Sequence, residues 1–358
     1  MPISSALGSS ALLPAGLGHR NKIINGDMRI AQRGTATITG SGSAQYPVDR
    51  WAVYNGTGTV TFVQSTDAPA GFNASILATV TATGSYSTSG YTQITHKIEG
   101  FNCQDLAYGT ASAKPIVLSF WVKSSVIGVQ NVSFKNSGNN RVYVATYTIT
   151  AANTWEYETI RIPGDTSGTW LVDSGVGLEV TFNLGMGTQY DVAANTWLAS
   201  AAVYSTSGAV DFAANAGATF RVTGVQLEQN YQPTPFEQRP YGTELALCQR
   251  YYWRVTAVAG RNFKSIGFGM ADTTTTANIL IHHPVPMRVP ALSFEGANCR
   301  MTDYQFGYIN TTAGIETVRC DERITKLSAN ATGMTAYRPL AFEMFASDSF
   351  FAINAELP

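Results

Sequence analysis

Two groups of aromatic residues carry the chemistry most directly readable in this chain. Tyr86 and Tyr91 flank Ser-Thr-Ser-Gly, and Tyr190, Trp197 and Tyr204 fall in a loop-rich stretch with Gln189, Asp191 and Asn195. Flat aromatic faces stack on the C–H groups of pyranose rings, while nearby amides, carboxylates and phenols hydrogen-bond the hydroxyls; ligand sites combine apolar walls with a few polar anchors in this way. Tyr304, Phe306 and Tyr308 lie on alternate residues, so in a strand they share one face. Exposed, such a stripe is adhesive; buried, it is core. Ordinary loop packing is the competing reading of the first group.

Catalytic readings find less support. Glycan cleavage needs two carboxylates about 5 to 10 Å apart. Glu156 and Glu158 alternate on one strand face, a pattern that reads as a solvated face. His96, His282 and His283 could each serve a Ser-His-Asp centre, but no GxSxG elbow accompanies them. In a strand, the adjacent His282 and His283 point to opposite faces and make a poor pair for one metal. Cys103, Cys248, Cys299 and Cys320 lack CxxC spacing and give no zinc pattern with the four histidines. They read as thiols in a reducing cytosol, although four cysteines allow three disulfide pairings. Gly267-Phe268-Gly269 has neither a third glycine at the right place nor a following helix pattern, which rejects dinucleotide binding. Asp165 or Asp173 would suit a calcium loop, but no loop signature surrounds them. The expectation is a protein without catalytic residues, cofactor or metal site.

The elements that must position these residues follow from composition and periodicity. A chain of 358 residues favours two domains. Only 13% of residues are charged, against about 25% in typical soluble domains, and Thr, Ser, Asn and Gly take their place. A net charge of −1 removes the basic footprint that nucleic-acid binding needs. There is no apolar run of about 18 residues to insert into a membrane, and the first twenty residues have no cationic stretch of the secretory kind.

Strand patterns dominate. Leu178, Val180, Phe182 and Leu184 alternate with Glu179, Thr181 and Asn183, and Ile116, Leu118, Phe120 and Val122 behave in the same way. Further runs lie at 51–63, 75–83, 91–99, 129–134, 141–149, 156–162 and 219–227, separated by turn signals. Gly224 interrupts the last run and predicts a bulge that resets its facing. Asn25-Gly26-Asp27 reads as a turn, and Trp51 as core. Pro233, Pro235 and Pro240 predict a stiff connector. Thr243 predicts the cap of a short helix whose stripe of Leu245, Leu247, Cys248, Tyr251 and Tyr252 must meet a domain or another copy of the chain. Strand-like runs return at 277–281, 291–295 and 349–356. The expected fold is all-β: an antiparallel jelly-roll β-sandwich followed by a short helix and a second, smaller β domain. The expected divisions are an arm at 1–22, the sandwich at 23–238, a linker and helix at 239–254, and the second domain at 255–358.

Four segments resemble a family of tail fibre and minor structural proteins of tailed bacteriophages, especially those of marine and cyanobacterial hosts. They are IINGDMRIAQRG with YPVDRW after it, THKIEGFNCQDLAYGTASAKPIVLSFWVKSS, WEYETIRIPGDTSGTW, and GVQLEQNYQPTPFEQRPYGTELALCQRYYWR. The resemblance runs from about residue 23 to 254 and implies a jelly roll similar to carbohydrate-binding modules, carried on a virion and homotrimeric, with a variable C-terminal domain. The expectation is therefore a virion protein made in the bacterial host cytoplasm. Its arm would dock on other tail proteins and its distal part would attach to host-surface glycan. The alternatives are a tail, neck or capsid decoration protein with structural contacts only, and a polysaccharide depolymerase.

Overall fold

The computed structural model describes residues 20–200, 204–257, 264–290, 292–303, 308–310 and 316–358, with backbone alone at 308–310 and 316–320. The first unit holds β1 (Ile38–Thr39), β2 (Gln45–Val48), β3 (Trp51–Asn55), β4 (Thr59–Ser65), β5 (Ser75–Ala82), β6 (Tyr91–Glu99), β7 (Ile116–Ser124), β8 (Gly128–Lys135), β9 (Val142–Ile149), β10 (Glu156–Ile162), β11 (Val176–Met186), β12 (Trp197–Leu198) and β13 (Thr219–Glu228). They pair into two sheets, ordered β1-β4-β5-β13-β7-β10 and β12-β9-β8-β11-β6-β3-β2, and every pairing is antiparallel. This is the jelly-roll sandwich that the two-residue period predicts.

The inward face of each strand supplies the core. Leu178, Val180, Phe182 and Leu184 are all fully buried, together with Trp51, Phe62, Phe120, Phe134 and Phe220. Phe182 meets Phe120 edge-on at 5.0 Å and Trp51 at 6.1 Å. The bulge falls where Gly224 predicts it. Register along β13 jumps between Thr223 and Gln226, with Gly224 at φ +62°, and the shift turns Val225 and Leu227 back into the core. Glu156 and Glu158 depart from the solvated-face reading. Tyr157, Thr159 and Arg161 are the exposed positions of β10, so the two glutamates share the inward side with Ile160 and Ile162. Glu156 is used there as a loop cap, accepting bonds from Thr150 and Ala151.

The second unit begins with α1 (Tyr241–Gln249) and continues through β14 (Tyr252–Thr256), β15 (Lys264–Ala271), β16 (Thr276–His282), β17 (Ser293–Ala297), β18 (Cys299–Thr302), β19 (Tyr308–Asn310), β20 (Glu316–Cys320), β21 (Ile324–Asn330), β22 (Pro339–Met344) and β23 (Phe350–Asn354). A three-stranded sheet, β14-β23-β17, and a seven-stranded sheet, β19-β18-β22-β15-β16-β21-β20, enclose a core that includes Ile279, Ile281, Leu327, Phe342, Phe351 and Ile353. The helix starts two residues before the expected cap. Pro240 stands at the N-cap, its carbonyl accepting from Glu244 N–H, and Thr243 lies inside the first turn. Proline's fixed φ suits a helix entrance. The Glu244 carboxylate accepts from Asn25 N–H instead of acting as an exposed charge at the helix end.

The two units meet through a buried seam. Cys248 and Tyr251, both fully buried, pack with Ile24, Ile30, Val176 and Leu357, while Leu245 and Leu247 cover them. Arg50 is ion-paired with Glu356, donates to Lys97 O at 2.6 Å, and lies 3.5 Å over the Tyr251 ring. Glu99 receives Arg250 at 2.7 Å and the Tyr251 hydroxyl at 2.7 Å. Arg288 donates to Ala355 O, Glu356 O and Ser174 O. Asn25, at φ +57°, donates to Ile30 O and Asp49 O and accepts the Trp51 indole N–H. Gly26 lets the chain pass so close to β13 that a Cβ would stand 2.1 Å from Val225 O. Asn21 and Lys22, the end of the expected arm, are tied to the same strand through Leu227. The rest of that arm, through residue 19, lies outside the described residues.

Arg50 and Glu356 are both nearly fully buried. Removing one partner leaves a desolvated charge, so Glu356→Ala should cost about 3 to 5 kcal/mol in chemical denaturation. A loss below about 1 kcal/mol would mean that Arg50 is satisfied without it.

Candidate functional site

On the outward face of the second sheet, β3, β6, β11 and β8 lie side by side, and their register aligns mostly polar residues into rows. Tyr54, Gln93, Asn183 and Asn131 form one row, Ala52, Thr95, Thr181 and Ser133 the next, and Lys97, Glu179 and Lys135 a third. The same alternation that sends Trp51, Val53, Ile94 and Phe182 inward places these residues outward. Thr95 and Thr181 hydroxyls lie 3.1 Å apart, and Thr181 donates to Glu179 at 3.2 Å. Glu179 pairs with Lys135 at 3.1 Å.

The segment after β11 folds over one end of this face. Asn183 donates to Tyr204 O, Asn131 bonds Ser205 and Thr206, and Lys135 donates to the Tyr204 hydroxyl at 3.0 Å while standing 4.5 Å from its ring. Tyr204 meets Tyr190 at 5.8 Å, and the Tyr190 hydroxyl donates to Ser89 O. The result is a cleft of about 240 Å³ lined by Tyr54, Tyr91, Gln93, Met186, Tyr190 and Tyr204. Burial, then the nearby Glu179 carboxylate, pushes the Tyr54 phenol up to about 12. Lys97 is held below the ordinary lysine range by burial. Burial acts the same way on Lys135, but Glu179 and Tyr204 outweigh it and hold that ammonium above the range. In the rows beneath, Asn131, Asn183, Thr95, Thr181, Ser133 and Glu179 are buried, so the groups that face the cleft are four tyrosine rings with the Gln93 amide and Met186, which can stack on the flat face of a neutral ring and hydrogen-bond its hydroxyls.

No family model and no curated protein sequence matches this chain. Among solved structures, the chain is similar to the enzymatically active domain of tailspike protein 4 of bacteriophage CBA120, with 15% identity, a TM-score of 0.34, and 59% of this chain and 22% of that one covered. TmCBM61 in complex with beta-1,4-galactotriose matches at 12% identity and a TM-score of 0.29, covering 59% of this chain and all of that one. A family 11 carbohydrate-binding module from Clostridium thermocellum, in complex with a mixed-linked tetrasaccharide, matches at 17% and 0.29 over 56% of this chain and 99% of that one. With TM-scores this low, the architecture rests on the chain's own strand pairing.

Of the tyrosines singled out from sequence, Tyr91, Tyr190 and Tyr204 come together here. Tyr86 does not join them. It is 5% exposed, wedged over Gly185, and its hydroxyl lies 2.7 Å from Thr92 Oγ1. Trp197 sits at another edge of the sandwich, edge-on to Tyr108 and Trp170 and tilted against Tyr143, with its indole donating to Pro163 O. Tyr304 and Phe306 lie outside the described residues, and only the backbone of Tyr308, at the start of β19, is described. Tyr54, Gln93 and Met186 went unnoticed in sequence, although their positions opposite Val53, Ile94 and Gly185 mark them as outward-facing or rim residues.

The other groups weighed for chemistry are committed elsewhere. Asp165 receives the Arg141 guanidinium through two bonds of 2.6 and 2.7 Å. Cys103 is a buried thiol pushed up to about 12 by desolvation, and burial also raises Cys248. His283 contacts Glu322 O and Thr325. His96 is fully buried at the seam, edge-on to Trp51 at 4.9 Å, with Nε2 3.1 Å from Ile24 O. Burial, then the Arg50 and Arg239 charges, holds its pKa well below 6.5.

Below pH 6.5 the unfolded chain therefore binds a proton that folded His96 refuses, and stability falls as pH drops. Asp49 acts in the opposite sense: burial raises it to about 6, so it favours the folded state as pH falls through that value. Relative to a His96→Gln variant, the native chain should lose stability below pH 6.5 with a slope approaching 1.4 kcal/mol per pH unit, or about one proton. Parallel curves for the two proteins in denaturant titrations between pH 7 and 5 would contradict a neutral buried ring.

Proposed function

We propose that this chain is a virion protein of a tailed bacteriophage, a homotrimeric tail fibre or receptor-binding subunit that grips host-surface glycan by binding and not by catalysis. The observation that carries this reading is the cleft lined by Tyr54, Tyr91, Gln93, Met186, Tyr190 and Tyr204 at the outer face of the second sheet. The four segments similar to phage tail proteins support the virion setting, with residues 1–22 docking on other tail proteins. A neutral cleft holds a sugar weakly. Three copies on one fibre convert contacts of about millimolar strength into tight attachment through high effective concentration.

A second reading, a tail, neck or capsid decoration protein with structural contacts only, is favoured by a different surface. Phe268 and Leu280 pair directly across β15 and β16 with 65% and 47% exposure, and Met270 lies beside them. Apolar side chains grouped on an open sheet face mark a protein contact.

The purified 358-residue chain should scatter light as a trimer of 38.4 kDa subunits and bind host cells. Tyr91→Ala with Tyr190→Ala should lower glycan affinity about tenfold while leaving the circular dichroism spectrum unchanged. A monomer that ignores cells would overturn the reading. Incorporation into virions without cell binding would favour the decoration role, and release of reducing ends from envelope glycan would mark a depolymerase.

A further inference from the structure

The hydrogen-bonding capacity of the tyrosine cleft is small. Of its four phenols, Tyr190 already donates to Ser89 O at 3.3 Å, and Tyr204 accepts from the Lys135 ammonium at 3.0 Å. The Tyr54 and Tyr91 hydroxyls and the Gln93 side-chain amide have no hydrogen-bond partner among the described residues, and none of these atoms is sealed from solvent. Among the described residues that line the cleft, none is charged.

Strand register sets where these groups stand. Gln93 lies between Tyr54 on β3 and Asn183 on β11, and two residues back along β6 Tyr91 pairs with Met186. Tyr91 and Gln93 share the outward face, about 7 Å apart along the strand. Gln93 is half-buried and Met186 is buried, so an open amide stands next to a seat made of a thioether and a tyrosine ring. A ligand hydroxyl pressed into that seat loses its water and gains no partner, which is disfavoured. A methyl group there loses nothing and buries apolar surface.

We infer that the cleft selects N-acetylated sugars, with Gln93 as the residue that reads the acetamido group. The inference rests on the reading of the cleft as a glycan site and narrows it to a ligand class. A glutamine amide carries both donors and an acceptor. The acetamido N–H donates to Gln93 Oε1, and the acetamido carbonyl accepts from Gln93 Nε2, a reciprocal pair between two amides. The methyl group then lies against Met186 and the Tyr91 ring. The pyranose stacks on the tyrosine rings, and the Tyr54 hydroxyl meets a sugar hydroxyl. Carboxylated and ammonium-bearing sugars find no countercharge on the lining.

The test titrates the 358-residue protein with the methyl glycosides of N-acetylglucosamine, glucosamine and glucose, read by ligand-observed NMR. The N-acetyl sugar should bind about tenfold more tightly than the other two, through one amide pair and one buried methyl. Gln93→Met keeps the side-chain length, removes the amide, and should cut that ratio to about threefold. Met186→Gln makes the methyl seat polar and should cut it to a similar extent. Should either variant fail to fold, the ligand ratio on the native chain still decides. A native preference below about twofold, or one that survives both substitutions, overturns the inference, while glucoside binding keeps the glycan reading. If none of the three glycosides binds at millimolar concentration the inference falls. Cell binding that is lost in Tyr91→Ala with Tyr190→Ala then keeps the broader reading, and a native chain that ignores cells overturns both.

Discussion

Arg50 cannot shed its charge, and it is 3% exposed. A guanidinium keeps its proton at any pH a protein survives, so the chain must bring it an anion and acceptors in place of water. It does so from far away in sequence. Glu356 supplies the carboxylate, Lys97 a carbonyl, and Tyr251 a ring face. Arg50 sits with Asp49 in the two-residue turn between β2 and β3, at φ +71°, a conformation that a non-glycine residue adopts at some cost and only where its surroundings hold it. Desolvation offsets most of the ion pair's attraction. What the pair contributes is geometry, because the end of the chain must lie against β3 and β6, and with it β23 and the small sheet to which β23 belongs.

That seating orders the rest. β3 and β6 each carry three duties along their length: the core on the inward side, the seam at one end through Trp51, His96 and Glu99, and the cleft at the other through Tyr54, Tyr91 and Gln93. The row of Lys97, Glu179 and Lys135 joins the two ends. Its middle carboxylate balances Lys135 beside Tyr204, and the Lys97 ammonium donates to the backbone of Pro358. The walls of the cleft are therefore anchored in the same strands as the seam. A disturbance at Glu356 would reach the site through two strands and no flexible linker.

The architecture is unevenly legible in the sequence, for physical reasons. The sandwich was legible because inward and outward residues alternate strictly, and even the bulge at Gly224 announced itself as a broken alternation. Glu156 and Glu158 were misread because charge suggests solvent, whereas their partners Ile160 and Ile162 fix which side of β10 they occupy. Tyr86 was misread because its Ser-Thr-Ser-Gly neighbourhood suggests an exposed loop, while the space over Gly185 that receives its ring is visible only in three dimensions. The seam was least legible of all. Its partners are separated by up to 323 residues, as in Arg33 with Glu356, and no local pattern encodes such a pairing. Yet three of the four segments that resemble phage tail proteins converge there: the stretch holding Asn25, Arg50 and Trp51, the stretch holding His96 and Glu99, and the stretch holding Arg239, Glu244 and Tyr251.

The distribution of charge explains how a chain this poor in ions can be both specific in fold and neutral in grip. Charged residues make up 13% of the sequence, and many are interior: Asp49, Arg50, Glu99, Glu179, Arg239, Glu244, Arg288 and Glu356 are all buried. Charges placed there meet fixed partners and are screened little by salt, whereas exposed charges beyond about 8 to 10 Å are screened strongly at physiological ionic strength. The cleft itself is lined by tyrosines with Gln93 and Met186, and no charged side chain stands among its lining residues. These groups reach only as far as a hydrogen bond or a ring contact, so selectivity at the cleft has to come from shape and from where the donors stand, and that placement is what the buried ions hold in register.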